Sequence, residues 1–567
     1  MKNKLTFAVM IGTFFSLFAI SCSFGQPSEE SREYDLQLRK QPKTKMLTSS
    51  QLDIGADQFI WGTEGQGLLI SDYDHMSQEE KNIVNLVNDT LGVKYVKIRL
   101  RLPMDGKFSP DMCIDRGAYY SGSQSNCSNP TATKFNLDHT ARLFKENGWS
   151  MFPMISHGGA PRLDYPIDDQ HIALYVNFVD WFVSHYREKA NIEYVELVNA
   201  PSFTWKGSAE QLLELNNRTY ETIKRKYPEV KIGTPGFEYF SDASKNTRGG
   251  QHQVFRNYFL QNNAKFDFWA FHGYPTRGES GLKEIYPPTK SAKRDKYAGI
   301  HGITELRRTM DNMGWRDREI IDTEHTGILG PDEFNEEVDR LNSAYLVQEI
   351  VVKRTLEVNG RKALSGLIAL KLLPRCERLG KMGEMGGKMG PPPGGGFRPR
   401  GGFPGGRGFP PGSGGFPPRG GGFPPRKNLP IGGGQKKMGG GECAWGSLYP
   451  DGSVSLSVRA VGFLLSKMRE YSHVAHVSGE FDRENKPWIE KFTAANSQLY
   501  IFFKPFEYRS GQKIEFDNTS LDYTLQLDSM PTSITITDVF GNKNDISPSN
   551  QITLKVKNSP QFLELQY

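Results

Sequence analysis

The chain has 567 residues, 37% of them hydrophobic and 24% charged, which is enough for a large core and more than one domain. Its formal charge is only +6, and residues 376–443 alone carry a surplus of eight, from eleven Lys/Arg against three Asp/Glu. The remainder stands at −2, which excludes a chain that binds nucleic acid over its whole surface.

The N-terminus, "MKNKLTFAVMIGTFFSLFAISC", has two lysines, an apolar stretch from Leu5 to Ile20 and then Ser21-Cys22. Residues 1–21 read as a signal peptide: the apolar stretch is too short for a spanning helix and small residues follow it. The ending resembles a bacterial lipoprotein signal, which predicts an exported chain, lipid-anchored through Cys22 in the cell envelope. Residues 22–51 are polar and read as a tether. Four further cysteines suit an oxidising compartment, and Cys113 with Cys127 and Cys376 with Cys443 are the expected disulfides. No CxxC or Cys/His spacing suggests a metal, and no cofactor is expected.

From residue 52 a short apolar strand followed by an amphipathic helix recurs eight times. The strands are "QFIWGTEG", "KYVKIRLRLP", "WSMFPMIS", "IEYVELVNAP", "VKIGTPGFEYF", "FDFWAFHGYP", "REIIDTEHTG" and "LSGLIALKLLP". Such alternation means a parallel sheet covered on both faces. Eight units without a Gly-x-Gly-x-x-Gly after the first strand favour a closed (β/α)8 TIM barrel over residues 52–475, with its site at the C-terminal strand ends. The last helix is delayed by residues 376–443, a Gly/Pro/Arg-rich insertion with repeats such as "GGFPPRG", whose composition predicts disorder. A Cys376–Cys443 bond closing it would be worth roughly 4 kcal/mol in the chain-entropy model. Its two "RGG" triplets hint at nucleic acid, but in an exported chain a solvated insertion is the expectation, with no nucleic-acid partner. Residues 476–567 alternate apolar and polar positions between turn signals and read as an antiparallel β-sandwich.

Three strand ends carry chemistry. "REIIDTEHTG" puts Glu324 at the end of the seventh strand, with Asp322 two residues earlier and, by alternation, on the same face. A structural carboxylate paired with a barrel arginine such as Arg99 is the plain explanation of Glu324. The sixth strand ends "FHGYP", and His272 and Tyr274 share a parity pointing into the pocket. The fourth strand stops at Asn199, Ala200 and Pro201.

In this order the strand ends resemble those of clan A retaining glycoside hydrolases. There the fourth strand ends Asn-Glu-Pro, the sixth carries His and Tyr, and the seventh often ends Thr-Glu-x-Gly. The segment "WGSLYPDGS" at 445–453 also looks like that family's closing segment. The resemblance implies Glu324 as a nucleophile forming a covalent glycosyl intermediate and Asn199 bonding the 2-hydroxyl of a poly- or oligosaccharide. It also implies that Tyr274 orients Glu324 and that Arg99 neutralises part of the charge. His272 joins this substrate-binding set, and Trp205, Phe237, Tyr239 and Trp445 offer flat faces for sugar rings.

The departure lies at Ala200, where the family has its acid/base glutamate. Retaining hydrolysis needs two carboxyl groups about 5–5.5 Å apart, and general acid–base catalysis contributes about 10²–10⁴ in rate. The eighth strand, "ALKLLPR", also lacks the usual Trp. Glu196 shares the parity of Ala200 but lies about 13 Å deeper along the strand. Glu238, after the fifth strand, is the candidate for a relocated acid, and His157, after the third, is the other neighbour. Three functions fit these residues: a hydrolase with an unconventional acid, a silent glycan-binding barrel, or an interaction protein working through its basic insertion. The last gives no reason for Glu324, Asn199, His272 and Tyr274 to occur together.

Overall fold

The computed structural model describes residues 59–103, 106–115, 132–157, 167–238, 250–273, 299–325, 336–371, 453–480, 483, 485–507, 514–517 and 519–567. The signal, the tether, most of the 376–443 insertion's surroundings and the insertion itself lie outside them, as do Cys22, Cys127, Cys376 and Cys443.

Eight parallel strands close into a barrel: β1 (Ile60–Glu64), β2 (Tyr95–Arg101), β3 (Ser150–Ser156), β4 (Tyr194–Asn199), β5 (Lys231–Glu238), β6 (Phe268–His272), β7 (Glu319–His325) and β8 (Gly366–Lys371). Each pairs with its chain neighbours, and β8 returns to β1, so no edge is left open. The helices between them are α1 (Gln78–Asn85), α2 (Leu137–Glu146), α3 (Asp169–Tyr186), α4 (Ala209–Lys226), α5 (Gly250–Gln261), α6 (Gly299–Asn312), α7 (Glu336–Thr355) and α8 (Leu456–Met468). Their starts are written in the sequence. Ser77 with Glu80 and Ser208 with Gln211 form reciprocal capping boxes on α1 and α4. Asp168 and Ser455 each accept a backbone N–H at the start of α3 and α8.

Inside the barrel, the N-terminal end is plugged by Ile60, Tyr95, Phe152, Tyr194, Phe268, Ala270, Ile321 and Ile368. Phe152 and Tyr194 stack with centroids 5.7 Å apart, and Phe268 meets Tyr194 edge-on at 5.6 Å. This apolar floor makes the barrel a packed core below and confines its polar side chains to the upper half. A short hairpin, Asp111–Asp115 paired with Ala132–Asn136, follows β2; periodicity alone does not reveal it, since its strands lie in a polar stretch. Cys113 lies on its first strand.

The C-terminal region is antiparallel throughout. Its strands are β9 (Ser472–Ser478), β10 (Trp488–Ala494), β11 (Ser497–Phe503), β12 (Leu521–Gln526), β13 (Ser533–Asp538), β14 (Lys543–Ile546), β15 (Gln551–Val556) and β16 (Gln561–Gln566). Six form a sheet in the order β9-β10-β11-β16-β13-β14, and β12 pairs with β15 across a shared core of Ile489, Phe502, Leu554 and Leu563. The unit is seated on the barrel. Phe463 of α8 meets Phe562 edge-on at 5.0 Å, and Gln348 of α7 donates to the Asn558 carbonyl at 2.6 Å. At the same junction the buried Glu490 carboxylate accepts from Trp488 at 2.7 Å and Thr355 at 3.1 Å, and pairs with His473 and His476, each at 2.9 Å. No helix among the described residues is long and apolar enough to cross a membrane.

Candidate active site at the barrel mouth

Above the apolar floor the strands turn charged side chains inward. On β2 the face opposite Val96, Ile98 and Leu100 carries Lys97 and Arg99. In a barrel covered by helices the second face is the interior, so these cations must find anions there. Lys97 pairs with Glu196 of β4 at 2.8 Å, both fully buried, and also donates to the Thr323 carbonyl at 3.0 Å. Arg99 grips Glu64 of β1 side-on, at 2.8 Å from Nε and 3.1 Å from Nη2, and the same Nη2 donates to Glu324. His272 of β6 completes the chain: Nδ1 is 3.3 Å from Glu324 Oε2 and Nε2 is 3.3 Å from Glu196 Oε1. Glu64, Arg99, Glu324, His272, Glu196 and Lys97 thus form one continuous chain of polar contacts across five strands. Burial pushes the Glu196 carboxyl up, but Lys97 and His272 together outweigh it and hold it below the ordinary glutamate value.

Alternation along β7 predicts Asp322 and Glu324 on one face; the structure separates them. Between Leu367 and Ala369 of β8 the register shifts, so that three residues of β7 oppose two of β8. The bulge leaves Asp322 pointing out to Lys353 of α7, at 2.7 Å, while Glu324 turns into the barrel. Asp322 Oδ1 accepts from the Gly273 N–H at 2.9 Å, and Lys353 donates to the Gly273 carbonyl at 2.9 Å. This buried pair clamps the backbone just after His272. A Cβ on Gly273 would come within 2.2 Å of Asp322 Oδ2, so the clamp needs glycine there. Glu349 and His325 share the same pocket around Lys353.

The end of β4 departs from regular geometry as well. Register shifts flank Leu197, and Val198 and Ala200 have φ of 34° and 44°. A β-branched residue in the left-handed region is an outlier that only surrounding structure maintains. Here Tyr175 of α3 supplies a hydroxyl to the freed Val198 N–H at 3.4 Å, and Ala200 N–H bonds the Gly236 carbonyl at 3.1 Å. Val198 packs with Leu197 in the main apolar core, so the expected shared parity of Glu196 and Ala200 is broken at this bulge. Asn199 ends the strand with Oδ1 buried and without a partner among the described residues. Ala200 leads into the short helix Pro201–Thr204, whose Thr204 hydroxyl donates back to the Asn199 carbonyl at 2.5 Å.

The remaining sequence candidates fall as follows. Trp205 and Phe237, read as faces for sugar rings, are spent in packing. Trp205 is 4% exposed, edge-on to His157 at 5.0 Å, and Phe237 lies 5.1 Å from Trp269 and 5.2 Å from Phe259. Both rings lie in the main apolar core, where burial removes their faces from any ligand. His157 is buried beside Trp205, its Nε2 2.8 Å from the Thr204 carbonyl and its Nδ1 without a partner among the described residues. Burial holds its pKa down at about 4, so it is a neutral ring. Glu238 closes β5 in register with His272. Tyr239, Tyr274 and Trp445 lie outside the described residues. Among the described residues no cluster of three His, Cys, Asp or Glu is arranged to hold a metal ion. Sequence reasoning missed Glu64 and Lys97. For Lys97 the signal was charge alternating with Val96, Ile98 and Leu100; Glu64 stands alone at the end of its strand.

No protein-family model matches the sequence, and no curated protein matches it. Solved structures do. A family 39 glycoside hydrolase from the gut symbiont Bacteroides cellulosilyticus WH2 superposes with a TM-score of 0.54 at 11% identity, over 91% of this chain and 82% of that one. A glucosidase from Croceicoccus marinus gives a TM-score of 0.50 at 13% identity, over 89% of this chain and 95% of its own. At these identities the likeness establishes the fold: a TIM barrel with an appended β-sandwich, shared with glycoside hydrolases.

Proposed function

We propose that this chain acts on poly- or oligosaccharides through a retaining-type site in which Glu324 is the nucleophile and the usual general acid is absent. The observation that carries this reading is the setting of Glu324. It sits at the C-terminal end of β7, held on one oxygen by Arg99 and on the other by His272, yet keeps 8% of its surface open. Arg99, a fixed cation, favours the ionised carboxylate that an attacking group requires. Asn199, whose buried amide oxygen has no partner among the described residues, supplies a hydrogen-bonding group at the same end of the barrel.

In this mechanism a Glu324 oxygen bonds the anomeric carbon as the glycosidic C–O bond breaks. The leaving oxygen departs with the bonding electrons. Ala200 offers it no proton, so a sugar alkoxide leaves slowly while an acidic phenol leaves readily. Water or another nucleophile then displaces Glu324 from the glycosyl ester. The export signal and Cys22 support placement of this site in the cell envelope, anchored by lipid. Ala200 also favours a second reading, a barrel that holds glycans without cleaving them.

Aryl glycosides with good leaving groups, assayed with and without azide, separate the two. Turnover accelerated by azide, with glycosyl azide as product, is expected for a nucleophile working without its acid/base partner. Ala200→Glu should then raise hydrolysis of unactivated glycosides by about 10²–10⁴. Inert wild type and inert Ala200→Glu across a broad glycan panel would leave only the binding reading.

A further inference from the structure

The buried carboxylate four residues before Ala200 has no place in the mechanism above, and its surroundings give it one. Glu196 and Lys97 are both 0% exposed, and an unpaired charge at either position would be strongly destabilising. Lys97 meets Glu196 Oε2 at 2.8 Å, which accounts for one oxygen. The other, Oε1, faces His272 Nε2 at 3.3 Å, and the opposite ring nitrogen faces Glu324 Oε2 at the same distance.

Gly236 of β5 leaves room for this contact. A Cβ on Gly236 of β5 would lie 2.3 Å from Glu196 Oε1 and 2.3 Å from His272 Nε2. Gly236 is not in the left-handed region, so its conformation does not call for glycine; the close approach does. An ionised carboxylate only accepts hydrogen bonds, so each ring contact requires a hydrogen on the nitrogen. The charges agree. Glu64, Glu196 and Glu324 are three anions, Lys97 and Arg99 two cations, and a cationic ring makes the buried set neutral.

We propose that Glu196 is a positioning residue for Glu324, acting through His272, whose ring carries hydrogen on both nitrogens and donates to a carboxylate on each side. The role rests on the reading of Glu324 as nucleophile. Anchored at Nε2, the ring cannot rotate away from Glu324, and its charge complements Arg99 on the nucleophile's other oxygen.

The test is the ring itself. In the full chain labelled with ¹⁵N-histidine, the His272 resonances are assigned by their loss in His272→Asn, and the ring-nitrogen shifts are read at neutral pH. Both nitrogens should be protonated in the wild type. One should lose its hydrogen in Glu196→Gln, and likewise in Gly236→Ala, which changes no charge. Formation of the glycosyl ester from an activated aryl glycoside should slow by about tenfold to a hundredfold in both variants, with KM little changed. A neutral His272 in the wild type overturns the proposal. So does a ring unchanged in both variants, or an ester rate that ignores the ring's change of state. If Glu196→Gln does not fold with Lys97 unpaired, the wild-type spectrum and Gly236→Ala decide. A ring with the expected hydrogens in a wild type that never forms the ester speaks against Glu324 as nucleophile, not against the Glu196–His272 link.

Discussion

Glu349 of α7 lies just behind the site, where it shares Lys353 with Asp322. Its carboxylate is 2.9 Å from Lys353 Nζ and 3.3 Å from His325 Nε2, and it is 3% exposed. Burial pushes its pKa up from 4.5 to about 7; Lys353 opposes the rise and Asp322 adds to it. That displacement corresponds to about 3 kcal/mol. Between pH 4.5 and 7 the folded chain holds this proton and the unfolded chain does not. Stability from the group is therefore complete below pH 4.5, falls as pH rises to 7, and stays lost above. Glu349→Gln keeps the shape and removes the titration. His325, held well below the ordinary histidine range by burial and then by Lys353, remains neutral in both proteins. The variant should gain about 3 kcal/mol relative to wild type on going from pH 4.5 to 8, since Lys353 and Tyr345, which are coupled to Glu349, titrate above that range. Urea unfolding followed by tryptophan fluorescence at a series of pH values measures it. Parallel stability curves for the two proteins across that range would refute the reasoning.

His157 predicts the opposite slope. With its pKa held at about 4 by burial, its contribution is complete above pH 6.5 and is lost as pH falls through 4. His157→Gln can still donate to the Thr204 carbonyl, so the variant should lose acid sensitivity worth about 3 kcal/mol, read as the difference from wild type between pH 7 and 4. Gly273→Ala places a methyl 2.2 Å from Asp322 Oδ2 and 2.9 Å from Lys353 Nζ, and overpacking of this kind costs about 1–3 kcal/mol. An unchanged unfolding midpoint in that variant would show that the clamp on the β6 end yields freely.

The eight barrel strands were legible because each is a largely apolar run followed by an amphipathic helix, and several helices declare their starts, at Ser77, Asp168, Ser208 and Ser455. Glu324, Arg99, His272 and Asn199 could be named because strand ends at the C-terminal face were singled out by the fold. The bulges were not legible. Nothing in "VELVNAP" announces a positive φ at a valine, and "DTEH" contains no glycine to mark an extra residue in β7. A one-residue slip reverses every face beyond it, so Asp322 and Ala200 were assigned partners by a parity that the backbone does not keep. Lys97 and Glu64 escaped for another reason, and Glu196 was weighed only as a distant acid. A charge on the inner face of a covered strand is stable only with a partner, and these partners lie on strands far apart in sequence. Rings such as Trp205 and Phe237 cannot be divided into packing and binding by type alone.

The most direct measurement uses 2-deoxy-2-fluoro aryl glycosides, whose glycosyl esters break down slowly enough to accumulate. With a panel of sugars, one member should add a single fluoroglycosyl mass to the peptide containing residues 319–325, and Glu324→Gln should abolish the label. A label on any other residue would contradict the account, as would wild type and Ala200→Glu both remaining unlabelled by every sugar in the panel.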